Sequence, residues 1–300
     1  MTTSLRFFIN NNPQHIEMRK WNRQKIIKEL RKITRDKGIS PGVNQIPSYL
    51  YGACYNYFGS FNKAKKAAGL KIEKMKYNPI KKSAHKISKE FMYILGVIYG
   101  DGYENLTENE HGSSGRISLA VTDQDFALTF KKYLEKWSGL KAKYKINEEG
   151  LYQIILYSVD ACRIIEKIDL KRIPKLKKEF GFMFLRGLFD SDGGVIGENL
   201  DNRKIAKRWV HLSNNNHQLL ALTKTIFNRL KIDYSMKGRI KSGFGSKKMQ
   251  YQINIYNLRD IFKYYKFIGF NTKRKIKKLE RVINSYEEAY LNKVNEELKW

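Results

Sequence analysis

The stretches ILGVIYGDG, from Ile94 to Gly102, and LRGLFDSDG, from Leu185 to Gly193, stand 91 residues apart and follow one pattern. Each is an apolar run with a glycine five residues before an aspartate, so Gly96 and Asp101 match Gly187 and Asp192. The pattern predicts a duplicated helix that carries a carboxylate at its C-terminal end. An anion there faces the negative pole of the helix dipole, so a compensating cation is expected nearby. Two such helices side by side would present both carboxylates to one point and could hold a metal.

Charge is the second signal. Lys and Arg number 58 against 29 Asp and Glu, a formal +29 in 300 residues, which exceeds what solubility needs and points to a polyanionic partner. Cys54 and Cys162 are far apart and lack metal-ligand spacing, so they read as buried thiols of a reducing compartment. No apolar run approaches the roughly 18 residues of a membrane span, and no secretory leader pattern is present. The expectation is an intracellular protein of the cytoplasm, nucleoid or an organelle matrix, acting without a membrane. Neither a P-loop nor a histidine cluster of nuclease type occurs.

Residues 1–90 hold 20 basic and 5 acidic residues, a net +15. Ile26, Ile27, Leu30 and Ile33 form one stripe of a helix ending at Gly38, a second short helix opens at Pro47, and Ser60 caps a third that Gly69 closes. Three short helices with tight turns predict a helix-turn-helix-like module over residues 1–70, followed by a basic linker over 71–90. Beyond it one unit is used twice, over 91–175 and 176–300. The first copy places strands near 116–122, 141–147 and 151–157 between helices near 126–137 and 161–168. The second places strands near 209–213, 234–241 and 249–255 among helices near 219–230, 258–267 and 272–286. Asp101 to Asp123 and Asp192 to Asn214 are both 22 residues, which supports a true duplication about a pseudo-twofold axis.

Alternation in the strands gives each copy a cationic face. Lys141, Lys143 and Lys145 alternate with Ala142, Tyr144 and Ile146, while Lys237, Arg239 and Lys241 alternate with Met236, Gly238 and Ile240. With Arg116, these six basic residues are the candidate phosphate-binding surface.

The paired motifs resemble the signature of the LAGLIDADG homing endonucleases, single-chain type, over about residues 91–290. Departures are Leu95 and Arg186, where the family has alanine, and Tyr99, where it often has aspartate. The resemblance implies an α+β fold of two pseudo-twofold-related αββαββα half-domains forming a DNA-binding saddle, after the small all-α module. It also implies a monomer connected with intron mobility that cuts both strands of a long double-stranded DNA site and leaves short 3′ overhangs. The segment from Tyr57 to Leu70 resembles a small accessory repeat of some homing endonucleases, with Lys63, Lys65 and Lys66 as DNA contacts.

Phosphodiester hydrolysis requires charge stabilisation at phosphorus, an activated water and an eased leaving oxygen, which divalent ions between carboxylates supply. Asp101 and Asp192 are the expected ligands, helped by the carbonyls of Gly100 and Ser191, with two or three Mg2+ ions. Asp123 and Asn214 take the place where the family orients the hydrolytic water. Lys175 and Lys273 take that of the basic residue following each half, with Lys177, Lys178 and Arg274 as competitors. Asp190 is expected to cap a helix or pack, and His211 and His217 to face DNA or the core. The alternative function is an intron RNA maturase or a DNA-binding regulator that does not cleave.

Overall fold

The computed structural model describes residues 21–72, 79–109, 112–202, 204–243, 246–286 and 294, and its contacts divide the chain into two units, Met1–Tyr77 and Asn78–Trp300.

In the first unit, helices α1 (Arg23–Lys37), α2 (Ser48–Phe58) and α3 (Phe61–Ala67) enclose a core of Ile26, Leu30, Leu50, Cys54, Phe61 and Ala64. Asn22 and Ser60 cap α1 and α3 by accepting from backbone N–H groups, while Gly38 and Gly59 end α1 and α2 in the left-handed conformation. Lys65, expected to meet DNA, is instead buried: its Nζ donates to the carbonyl of Pro41 at 2.9 Å and lies over the Phe61 ring. A short helix turns part of its lysine row inward, and that ammonium serves a loop carbonyl. Lys63 and Lys66 remain exposed.

The second unit takes in part of the expected linker. Ile80 and Ala84 are buried in its core, and Trp137 Nε1 donates to the Ala84 carbonyl. Its repeat begins with α4 (Lys89–Tyr99), β1 (Tyr103–Asn109), β2 (Gly112–Val121), α5 (Gln124–Ser138), β3 (Lys143–Ile146), β4 (Tyr152–Tyr157) and α6 (Val159–Glu166). The second copy follows as α7 (Lys178–Asp192), β5 (Gly193–Glu198), β6 (Lys207–Asn214), α8 (His217–Leu230), β7 (Ser235–Gly243), β8 (Ser246–Ile255), α9 (Leu258–Lys263) and α10 (Lys273–Asn284). The two antiparallel sheets run β1-β2-β4-β3 and β5-β6-β8-β7, the same order in both copies. Strands β1 and β5, which directly follow the motifs, carry too little alternation to be located from their residues.

Helices α4 and α7 cross at their glycines. A methyl on Gly96 would overlap the carbonyl of Phe184 and sit 2.8 Å from the amide of Leu188; one on Gly187 would overlap the carbonyl of Tyr93 and sit 2.9 Å from the amide of Val97. The glycines are therefore demanded by backbone contact, as the spacing predicts. Around the crossing, Tyr93, Leu95, Phe184, Leu188 and Phe189 are fully buried, and the helical layer covers one face of each sheet.

On the opposite faces the cationic alternation is present, with differences. β3 is an edge strand whose four residues are all exposed, so Tyr144 and Ile146 do not form the buried face expected of them. Lys141 precedes this strand and reaches toward Glu135. Arg239 and Lys241 fall outside the described side chains, although their backbones pair with Gln250 and Lys248.

Candidate active site

The crossing delivers both motif acids to one place. An added Cβ on Gly100, the residue before Asp101, would stand 3.4 Å from Asp192 Oδ2. Burial pushes both carboxyls up, Asp192 to about 6, and the neighbouring charge of Asp101 adds to the rise at Asp192. A cleft of about 340 Å³ opens beside them, lined by Asp101, Asp123, Ser191, Arg274 and Lys275.

The compensating cation is Lys275, which the reading of the sequence passed over for its neighbours. This lysine is 8% exposed and donates to the carbonyls of Phe189 at 3.0 Å, Asp190 at 2.5 Å and Ser191 at 3.2 Å, the last turn of α7. The Phe189 carbonyl also accepts from the Gly193 amide, whereas those of Asp190 and Ser191 lie at the helix end, where an ammonium offsets the negative pole of the dipole. Burial raises the carboxyls of Asp101, Asp190 and Asp192 and the charge of Lys275 offsets part of that rise, while burial lowers the lysine itself. A signal existed: Lys275 shares the buried stripe of α10 with Leu279, Val282 and Ile283, where a lysine requires a partner. Lys273, expected as the basic residue that follows the second half, donates its backbone N–H to Asp125 of the first half. Lys175 lines a different cleft, with Tyr99, Pro174 and Arg229.

The residues 22 positions after each acid differ in their partners. Asn214 donates through Nδ2 to Asp192 Oδ2 at 2.6 Å. Asp123 is held by Arg274, with Nη2 at 2.9 Å from Oδ2, and that guanidinium keeps its carboxyl below the usual range. Asp190 caps α10: its carboxylate accepts from the amides of Asn271 and Thr272 and from the Thr272 hydroxyl, and the Tyr93 hydroxyl donates to it at 2.8 Å.

The donor set fits a hard divalent cation of limited protein ligation. Two carboxylates offer oxygen, whereas the Ser191 carbonyl, expected as a further ligand, already accepts from Lys275. Among the described residues no group of three or more His, Cys, Asp or Glu converges. Magnesium is held by one or two carboxylates with water and substrate phosphate completing the shell, so two acids suffice.

Cys54 and Cys162 are free and buried, with both thiols pushed up by desolvation, to about 11 and about 12. No helix among the described residues is long and apolar enough to cross a membrane.

Residues 179–269 match the LAGLIDADG-like domain. An uncharacterized protein of Methanocaldococcus jannaschii is 27% identical over 180 residues, covering 52% of this chain and 62% of that one. The replication factor C small subunit of the same organism is 27% identical over 206 residues, which are 65% of this chain and 10% of its own length. Among solved structures, the homing endonuclease I-DmoI in complex with DNA and calcium is 18% identical, with a TM-score of 0.49 over 66% of this chain and 99% of that one. Full-length DUF199/WhiA of Thermatoga maritima is 16% identical, with a TM-score of 0.44 over 72% and 69%. Residues 179–269 are thus similar to the LAGLIDADG-like domain, and the glycine-aspartate helix that opens this segment is present in both copies.

Proposed function

We propose that this chain is a divalent-metal-dependent endonuclease that cuts both strands of a double-stranded DNA site, with residues 91–175 and 176–300 acting as two half-domains. The observation that supports it is the juxtaposition of Asp101 and Asp192 at the ends of helices crossing on Gly96 and Gly187. A binding protein gains nothing from two desolvated acids placed where phosphate would approach.

In this reading Asp101, Asp192 and the Gly100 carbonyl hold Mg2+. When bound, the metal polarises the phosphoryl group and acidifies a water. Lys275 offsets part of the effect of burial on the acids and holds the helix end that presents them. Asn214 fixes one carboxylate oxygen of Asp192, which would leave the other to hold the ion. Exposed Lys143, Lys145 and Lys237, with Arg116, carry the phosphate contacts along the outer sheet faces. Lys63 and Lys66 would add affinity from the helical module. The family's overhang pattern, monomeric state, intron mobility and intracellular setting are proposed with the same reading.

Incubation with a plasmid library in Mg2+, followed by sequencing of the ends, tests it. Recurrent double-strand ends at one site are expected; intact plasmids at every metal tried would reject cleavage. The second reading is a non-cleaving DNA or intron-RNA binder, favoured by the ammonium of Lys275 already lying among the acids. It predicts equal binding with and without Mg2+.

A further inference from the structure

The two copies meet along two matching seams, and only one of them is closed by charge. At the closed seam the start of α10, from the second copy, sits on the start of α5, from the first. Arg274 pairs with Asp123 at 2.9 Å, the Lys273 amide donates to Asp125 at 2.5 Å, and Asp190 accepts from the amides of Asn271 and Thr272. The residues at the same offsets in the other copy are Asn214, Asn216 and Tyr99. All three carboxylates are therefore missing from the second seam. There Asn214 bonds Asp192 and Asn216 caps α8.

At this second seam a cleft of about 720 Å³ lies between α8 and the short 3-10 turn Leu170–Lys175 that ends the first copy. Tyr99, Leu170, Pro174 and Leu222 line it together with Lys171, Lys175 and Arg229. Arg229 donates to the Leu176 carbonyl at 3.2 Å, and among the described residues none of these three cations is paired with a carboxylate. Asp169, the one acid of the lining, accepts from the Lys171 amide and caps the turn. A volume within the roughly 300–1,000 Å³ of small-molecule sites, mostly apolar walls and a few convergent charges are the features of a ligand pocket. Cations gathered beside apolar walls are stabilised by an anion brought from outside.

We propose that this cleft binds a small organic anion with an apolar body, a carboxylate or phosphate ester on an aliphatic or aromatic frame. The anion takes the part of the carboxylates that close the matching seam and is held by Lys171, Lys175 and Arg229, while the frame covers Tyr99, Leu170, Pro174 and Leu222. A nucleic-acid backbone would satisfy the cations and leave the apolar walls wet, so it suits the cleft less well. Tyr99 is the last residue of α4, two positions before Asp101, so an occupant bears on the helix end that presents this acid. Binding there does not depend on the DNA-cutting reading above.

Titration of the full chain with 1-anilinonaphthalene-8-sulfonate, an aromatic anion whose fluorescence rises in apolar sites, tests it. A saturable site is expected, weakened about tenfold or more in the double variant Lys171→Glu, Lys175→Glu. It should be lost in Ala221→Trp, which fills the cleft from an exposed position on α8. The uncharged N-phenyl-1-naphthylamine and inorganic phosphate, which carry the frame and the charge separately, should each compete at least about tenfold less well. Melting curves close to wild type show that the variants fold. Dye binding left unchanged in both variants would overturn the proposal, as would phosphate that competes as well as the dye itself. Displacement of the dye by a short DNA duplex would give the cleft to the nucleic-acid surface and overturn it too.

Discussion

The two motif helices end differently although their sequences repeat. At the end of α7, Asp190 caps α10 and Lys275 covers the last carbonyls; at the end of α4 the matching residue is Tyr99, packed near Phe184 with no carboxylate to offer. Farther on, Asn214 bonds Asp192, while Asp123 pairs with Arg274. The second copy thus builds most of the scaffold that both acids share. Duplication supplied two equal acids, and divergence assigned their support to one side.

The largest expected effect falls where the halves are alike. Gly96→Ala or Gly187→Ala would drive a methyl into the facing backbone and should destabilise the second unit by about 3 kcal/mol or more, read by chemical denaturation. Equal losses at the two positions would confirm that the crossing is symmetric. The cap separates the copies more sharply. Asp190→Ala leaves two amides and the hydroxyls of Thr272 and Tyr93 without their acceptor and should cost about 3 kcal/mol, whereas Tyr99→Phe should cost less than about 1 kcal/mol. Similar losses would contradict the asymmetry.

How much of this was legible follows from what each residue answers to. The glycine-aspartate spacing is a local constraint of helix crossing, so it named Gly96, Gly187, Asp101 and Asp192 without coordinates. The turn residues Gly38 and Ser60 were legible because caps and left-handed turns are local too. Lys275 was not singled out, because among so many lysines only burial distinguishes one from its neighbours, and burial depends on how α10 packs beneath α7. Lys65 failed in the opposite sense, since a carbonyl on a distant loop draws it inward. The partners of Asp123 and Asn214 diverge through Arg274, a residue about 150 positions from Asp123, at a separation no local pattern spans.

A smaller effect should appear in pH dependence. Asp192 has its carboxyl raised to about 6 in the fold, above the ordinary value it recovers on unfolding. The native state therefore holds the proton more tightly, and this group's contribution to stability grows as pH falls through about 6 and is lost as pH rises through it. Asp192→Asn should raise the melting temperature of the metal-free protein by a few degrees at neutral pH, with the gain vanishing near about pH 4. Asp123→Asn, whose carboxyl is lowered by Arg274, should show no such gain. The smallest effect belongs to the exposed Arg274: its replacement by Ala should cost about 0.5 kcal/mol, checked by the same melts at low and high salt.

The central claim is that Asp101 and Asp192 form one shared site, one acid from each copy. Strand-resolved cleavage by Asp101→Asn and by Asp192→Asn in Mg2+, on the site selected by the wild-type protein, tests it most directly. Each single substitution is expected to abolish cutting of both strands while leaving DNA affinity within about threefold of wild type. Normal cutting of both strands by either variant would contradict it.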